Sequence, residues 1–270
     1  MTDRDWRPRY LQLAEQLRAS VEDGQLKPGD PLPSETELAD SSGLSRTSVR
    51  NAIRLLREWG LVRAEQGRGT YVRPLRTRVR RDNPARYQWE KDRVHQSDDE
   101  RRKTGGTEQD TGLSVYDLEF HCEYATVEAD EALAAKFQVP VGTRLLRRDY
   151  WTSAKTEGAA LSLSHSWLLY DLVAANPALL DANNEPWPGG TFHQLSTVGI
   201  EVDHITDRIT ARPPLPPEAE VLDIEPGVAV IAMHKMSVDT TGRVVEIADA
   251  IWAGDRTELV YNTKLKRWKR

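Results

Sequence analysis

Between Ser34 and Val72 the sequence sets, in immediate succession, a capped short helix, a second capped helix with arginines along one face, and a hairpin turned by glycine. Ser34-Glu35-Thr36-Glu37 has the spacing of a capping box, in which the serine accepts from a free backbone N–H and the glutamate reaches back. Leu38 and Ala39 give this helix a buried side, and Ser42-Gly43 ends it. Ser45 caps the next helix, which runs to about Trp59. Leu61–Glu65 and Thr70–Val72 read as strands joined by the tight turn Gly67-Arg68-Gly69. Upstream, Tyr10, Leu13, Ala14, Leu17 and Val21 recur at helical spacing before Gly24. Three helices followed by a hairpin predict a winged helix-turn-helix, and a chain so constrained has few other ways to bury these apolar faces.

On a helical wheel Arg46, Arg50, Arg54 and Arg57 fall within a sector about 80° wide. Val49, Ala52, Ile53, Leu55, Leu56 and Trp59 take the other side. One face can pack on the preceding helices while the other offers planar guanidinium groups, which bond guanine O6 and N7 or a phosphate in bidentate fashion. Base edges are normally reached from the N-terminal end of such a helix. Arg46, Thr47 and Arg50 are therefore the expected base readers. Ser48, Arg54 and Arg57 are expected to touch phosphate or neighbouring protein. Gln66, Gly67 and Arg68 at the wing tip are placed to approach the minor groove or a phosphate.

The formal net charge of -5 fits a nucleic-acid binder only once the chain is divided. Through Arg81 there are 16 Lys and Arg against 11 Asp and Glu, and beyond it 21 against 31, within totals of 37 and 42. A basic first third joined to an acidic remainder matches a phosphate-facing module carried by a body that does not touch DNA. The single cysteine, Cys122, can form neither an internal disulfide nor a Cys-based metal cluster. No apolar run approaches the roughly 20 residues of a membrane span, and the opening Met1–Trp6 is too polar for a signal peptide. A cytoplasmic protein with no membrane partner is expected.

A winged helix-turn-helix over 1–75, a charged linker over 76–112 and a third segment over 113–270 is the expected division. The linker carries Arg76, Arg78, Arg80 and Arg81, the run Asp98-Asp99-Glu100-Arg101-Arg102-Lys103, and Gly105-Gly106, with Tyr87–Val94 able to form a short helix. Beyond Leu113 one order occurs twice. A short helix around Leu133 leads to Val141-Gly142, a strand through Trp151, a turn and a return strand Ala160–Leu168. A helix around Val221 leads to Pro226-Gly227, a strand through Val238, a turn and a return strand Val244–Trp252. An α+β domain follows, an antiparallel sheet with helices packed on it.

The residues from Tyr10 to Val72 resemble the GntR family of bacterial regulators. The resemblance is carried by Leu26-Lys27-Pro28-Gly29, Leu32-Pro33-Ser34-Glu35-Thr36-Glu37-Leu38-Ala39, Ser45-Arg46-Thr47-Ser48-Val49-Arg50 and Gly67-Arg68-Gly69-Thr70-Tyr71-Val72. It implies a homodimer on a palindromic double-stranded operator, commonly a repressor released by a metabolite. At position 36, where some relatives carry a DNA-contacting arginine, this chain has Thr36. Leu113–Lys264 resembles the UTRA domain of the HutC subfamily, with a chorismate-lyase-like fold that binds a small organic effector and performs no catalysis. Arg148 stands where relatives often keep an arginine that grips an anionic effector, and Glu246 where they often keep a ligand-contacting glutamate. Ser164 replaces a common glutamate. By the two-residue strand period Ser162, Ser164 and Ser166 share one face, and Leu161, Leu163, His165 and Trp167 share the other. Ser164 and His165 complete the candidate effector contacts.

An enzyme is the first rival reading. His95, His121, His165, His193, His204 and His234 form no metal-binding motif, and there is no phosphate loop or nucleophile elbow, so neither a catalytic residue nor a cofactor is expected. A second rival keeps DNA binding and gives the C-terminal half a purely oligomerising role. An all-helical, metal-dependent sensor conflicts with the β-rich texture and with Pro213-Pro214-Leu215-Pro216-Pro217.

Overall fold

The computed structural model describes residues 6–65, 67–73 and 76–266. The chain divides into two compact units, Met1–Arg76 with Pro213–Ala229, and Thr77–Arg212 with Val230–Arg270.

In the first unit α1 (Arg9–Glu22), α2 (Glu35–Ser42) and α3 (Arg46–Glu58) precede the antiparallel pair β1 (Val62–Glu65) and β2 (Gly69–Val72). Their core holds Leu13, Ala14 and Leu17 of α1, Leu38 of α2, Val49, Ala52 and Leu56 of α3, and Val62 of β1. The apolar period of α3 thus buries one side and leaves the arginine side outward. The capping box of α2 is formed: Glu37 N donates to Ser34 Oγ at 3.2 Å and Ser34 N donates to Glu37 Oε2 at 2.8 Å. Gly43, at φ 65°, ends α2 in the left-handed conformation that glycine adopts without a Cβ clash. The later segment 213–229 carries the helix Pro216–Val221. Its following turn is tied to the chain after the wing: Arg73 Nη2 and Arg76 Nη1 both donate to the Asp223 carbonyl at 3.0 Å.

The second unit is built on a six-stranded antiparallel sheet of Leu118–Glu128, Arg144–Ala154, Ala160–Leu169, Val244–Ala253, Val230–Asp239 and Val202–Arg212, in that spatial order. The repeat expected from sequence is visible in this order. Each half contributes an outer strand and a hairpin, and the return strands Ala160–Leu169 and Val244–Ala253 pair at the centre. Helix Glu131–Phe137 packs with Leu145, Leu169 and Ile247, while Val173, Leu179, Leu195 and Ile200 pack with Leu146, Leu168 and Val245.

The segment expected to be a charged linker is largely ordered secondary structure. Val79–Asp82 pairs in parallel with Thr257–Val260, and three helices follow, Asn83–Asp92, Asp98–Arg102 and Gly106–Thr111. Several of its charges are paired by the fold, which a reading of local composition misses. Arg81 and Arg86 both reach Asp110, at 3.0 and 3.1 Å, and Arg86 also pairs with Glu90 at 3.0 Å.

Candidate nucleic-acid interface and effector cavity

Ser45 caps α3 by accepting from Ser48 N at 3.2 Å, and the Ser48 hydroxyl lies 3.0 Å from Ser45 Oγ. Ser48 is thereby bound into the cap. Arg46 and Thr47 are exposed, and Arg46 Nη2 donates to Thr36 Oγ1 over a long 3.4 Å. Arg50 Nε donates to Glu35 Oε2 at 2.8 Å, with the Arg50 side chain still 66% exposed. Arg54 faces Glu58 at 3.7 Å. Arg57 departs from the row: its partner is Glu225 of the 213–229 segment, at 3.8 Å. The exposed face is therefore Arg46, Thr47, Arg50 and Arg54, with Thr36 alongside. Exposed ion pairs such as Arg50–Glu35 are weak, so a phosphate or guanine can displace the carboxylate. In the wing Gly67 has φ 73°, and Arg68 extends into solvent with Glu65 3.8 Å away. Gln66 lies outside the described residues.

The second unit holds a cavity of about 890 Å³ on one face of its sheet. Strand register decides which side chains meet there. Arg148 sits opposite Ser166, and Tyr150 opposite Ser164, so all four share the cavity face. Asp149 sits opposite His165, which places His165 on the other face, where its Nδ1 lies 2.6 Å from Asp149 Oδ1. The serine row lines the cavity together with Arg148 and Glu246; His165 does not.

Arg148 is 1% exposed. Its Nη1 donates to Gln194 Oε1 at 2.6 Å, and its Nη2 to Ser166 Oγ at 2.7 Å and to Glu246 Oε1 at 3.1 Å. Glu246 also receives Lys235 Nζ at 2.8 Å and Ser237 Oγ at 3.1 Å. Burial pushes the Glu246 carboxyl up, but Lys235 and Arg148 outweigh it and hold the group below its ordinary value, so it remains an anion. Glu185 accepts from Tyr150 OH at 3.0 Å and Gln194 Nε2 at 2.8 Å, joining the two networks through Gln194. His193 is held below its ordinary value by burial and by the charge of Arg101, and its Nδ1 accepts from Trp187 Nε1 at 2.9 Å. The result is a hydrogen-bonded polar floor with aromatic walls, a form suited to holding a small molecule rather than to acid–base chemistry.

Residues 9–72 match the model of the gntR family of bacterial regulatory proteins, and residues 121–258, half of the chain, match that of the UTRA domain. The chain belongs to the GntR family. Similar across its length is an HTH-type transcriptional regulator of Streptomyces coelicolor, 27% identical over 96% of this chain and 93% of that one. The repressor NagR of Bacillus subtilis is 46% identical over 65 residues, 24% of this chain and 27% of its own. A crystal structure of a GntR-family transcriptional regulator superposes with TM-score 0.61 at 26% identity, covering 96% of this chain and 99% of the other. PhnF from Mycobacterium smegmatis shares the fold, with TM-score 0.54 at 21% identity over 94% and 100%.

This GntR protein is a DNA-binding transcriptional regulator with a UTRA effector-binding domain in the HutC arrangement, and the matching families are regulatory rather than enzymatic. No helix among its described residues is long and apolar enough to cross a membrane. Sequence reasoning reached the regulator's strand residues but missed the cavity side chains supplied from elsewhere. Gln194, Glu185, Lys235 and the arginines of 83–111 come from segments far apart in sequence. The glycine pairs Gly105-Gly106 and Gly189-Gly190 mark close packing: a Cβ on Gly106 would lie 1.7 Å from Arg86 Nη2, and one on Gly189 2.6 Å from Arg101 Cδ.

Proposed function

We propose that this regulator is a repressor that binds a palindromic operator as a homodimer and leaves it when a small molecule occupies the UTRA cavity. The observation that carries this reading is the pairing, in one chain, of an outward arginine face on α3 with a cavity on the sheet that has polar residues on its floor. Repressor relatives such as NagR and the mannosyl-D-glycerate repressor MngR of Escherichia coli support the sign of regulation through the DNA-binding segment. Arg46, Thr47 and Arg50 read base edges, Thr36 steers Arg46, and Ser48, Gly67 and Arg68 meet the backbone, with Gln66 at the wing tip. Two such modules would occupy successive major grooves about 34 Å apart. Arg148, Ser164 and Glu246 contact or orient the effector. An effector must favour the released state by its own differential affinity, and about 1–3 kcal/mol is a typical coupling.

The test is a mobility-shift titration of the full protein on DNA from upstream of its own gene, against scrambled competitor. A selective dimer complex supports the reading. Equal affinity for scrambled DNA would overturn it.

A further inference from the structure

One face of the six-stranded sheet lines the cavity together with residues of the 83–111 helices. The opposite face carries a row of charge that crosses every strand. Register sets Glu123 opposite Asp149, Asp149 opposite His165, His165 opposite Asp249, Asp249 opposite His234, and His234 opposite Arg208. Directly paired residues point to the same side of a sheet, so these six stand in one line, one from each strand. Within it His165 Nδ1 lies 2.6 Å from Asp149 Oδ1, and His234 Nδ1 lies 2.6 Å from Asp249 Oδ1. The line is open to solvent at its centre, where the side chains of His165 and Asp249 are 47% and 42% exposed, and at its ends, where Glu123 and Arg208 are exposed. Neither end residue is in an ion pair among the described residues. Half-buried Leu163 lies on one side of the line and half-buried Trp167 on the other, so apolar surface borders the charge.

Read from its other end, the row changes sign at every position. Glu123 maps onto Arg208, Asp149 onto His234, and His165 onto Asp249. Two copies laid face to face about a two-fold axis parallel to the strands would therefore set each group against its opposite, the self-complementarity that an isologous interface requires. An axis along the row would instead set Asp149 on Asp149 and Glu123 on Glu123, which like-charge repulsion disfavours. The histidines add a condition. An ionised carboxylate only accepts, so each Nδ1 donates to the aspartate of its own chain, and Nε2 can donate to a second copy only when the ring carries both protons. His165 is faced by Asp149 and Asp249, and His234 by Asp249 and Arg208; Arg147, 2.8 Å from Asp149, is the next charge along.

We propose that this face is the seam of the homodimer, occupied by the same face of a second copy, so that Glu123 meets Arg208, Asp149 meets His234 and His165 meets Asp249, and that proton uptake by the histidines tightens it. The proposal rests on the homodimer reading above and adds the surface, its register and a sensitivity to pH. Both cavities then face away from the seam, free to take an effector.

Sedimentation equilibrium of the full-length protein tests this. A dimer is expected whose Kd falls as the solution is taken from about pH 8 to about pH 6, the interval in which imidazole gains charge. His165→Asn combined with His234→Asn should abolish that dependence. Glu123→Arg and Arg208→Glu each place like charges at both ends of the seam and should each weaken dimerisation about tenfold. Mixed in equal amounts, the two single variants should recover a heterodimer of parental affinity, because every reversed residue then faces its opposite; recovery also verifies that both fold. A parent dimer that neither reversal weakens overturns the seam and leaves the homodimer reading standing. Weakening without recovery on mixing overturns the register. A Kd unchanged with pH removes the histidines from the seam, and a monomer at every concentration overturns the seam and the homodimer together.

Discussion

Glu246 holds two cations, Arg148 and Lys235, at a position only 2% exposed. Removing one partner of a buried ionic cluster leaves uncompensated charge, so Glu246→Ala should destabilise the protein by about 3–5 kcal/mol in urea unfolding. Loss of effector response in that variant would therefore report folding as much as recognition, and Ser164→Ala is the cleaner probe of the cavity. Arg46 is the opposite case, exposed and held by one long hydrogen bond. Arg46→Ala should leave unfolding unchanged and cost about 1–3 kcal/mol of operator selectivity if its contact is bidentate to guanine. Competition between operator and scrambled duplex measures this; unaltered discrimination removes Arg46 from the base readers.

At the scale of the element, the start of α3 rests on Ser45, whose hydroxyl accepts from Ser48 N. Ser45→Ala should lower stability by about 1 kcal/mol and loosen the turn that aims Arg46 and Thr47. A chemical-denaturation midpoint equal to that of the parent protein would show that the cap is dispensable. The hairpin between Val230–Asp239 and Val244–Ala253 turns on Asp239. Burial pushes its carboxyl up, but hydrogen bonds from Thr241 and Arg243 more than offset this and hold it at about 2, against an ordinary 3.8. A depressed carboxyl contributes stability above its unfolded value and loses it as pH falls through the folded value. Stability supplied by this turn should accordingly be full above about pH 4 and fade towards pH 2. Asp239→Asn should flatten the acid limb of the stability profile in that window; a profile parallel to the parent's would assign the acid transition elsewhere.

Across the whole molecule the chain passes between the two compact units three times, after Arg76, after Arg212 and after Ala229. The stretch between the last two passages joins neighbouring strands of the sheet, yet it belongs with the DNA-binding unit. It meets that unit through Asp223 with Arg73 and Arg76, and through Glu225 with Arg57 of the reading helix. The stretch is thus covalently joined to two strands of the sheet and meets α3 through the Arg57–Glu225 ion pair. Glu225→Gln should leave operator affinity within a factor of about two, since a partly exposed ion pair contributes little. It should also reduce the effector-induced change in that affinity, which operator titrations with and without the effector would register; an undiminished response would exclude this route.

The sequence alone determined the three helices and the wing of residues 9–72 almost to the residue, because their signals are local. A cap, a 3.6-residue apolar period and a glycine turn each act within a few positions, and Ser34, Ser45 and Gly67 do in the structure what their spacing implies. The repeated helix–strand–hairpin order was legible for the same reason. Which face of each sheet strand meets the cavity was not, because alternation divides Ser164 from His165 without saying which side is covered. Only tertiary structure decided that, by laying residues 83–111 over the serine face. Those residues read as a solvated linker because their charges find partners far along the chain, as Asp110 finds Arg81 and Lys91 finds Glu201. Local patterning encodes elements, whereas neutralisation of buried charge is a long-range property that only the folded chain expresses.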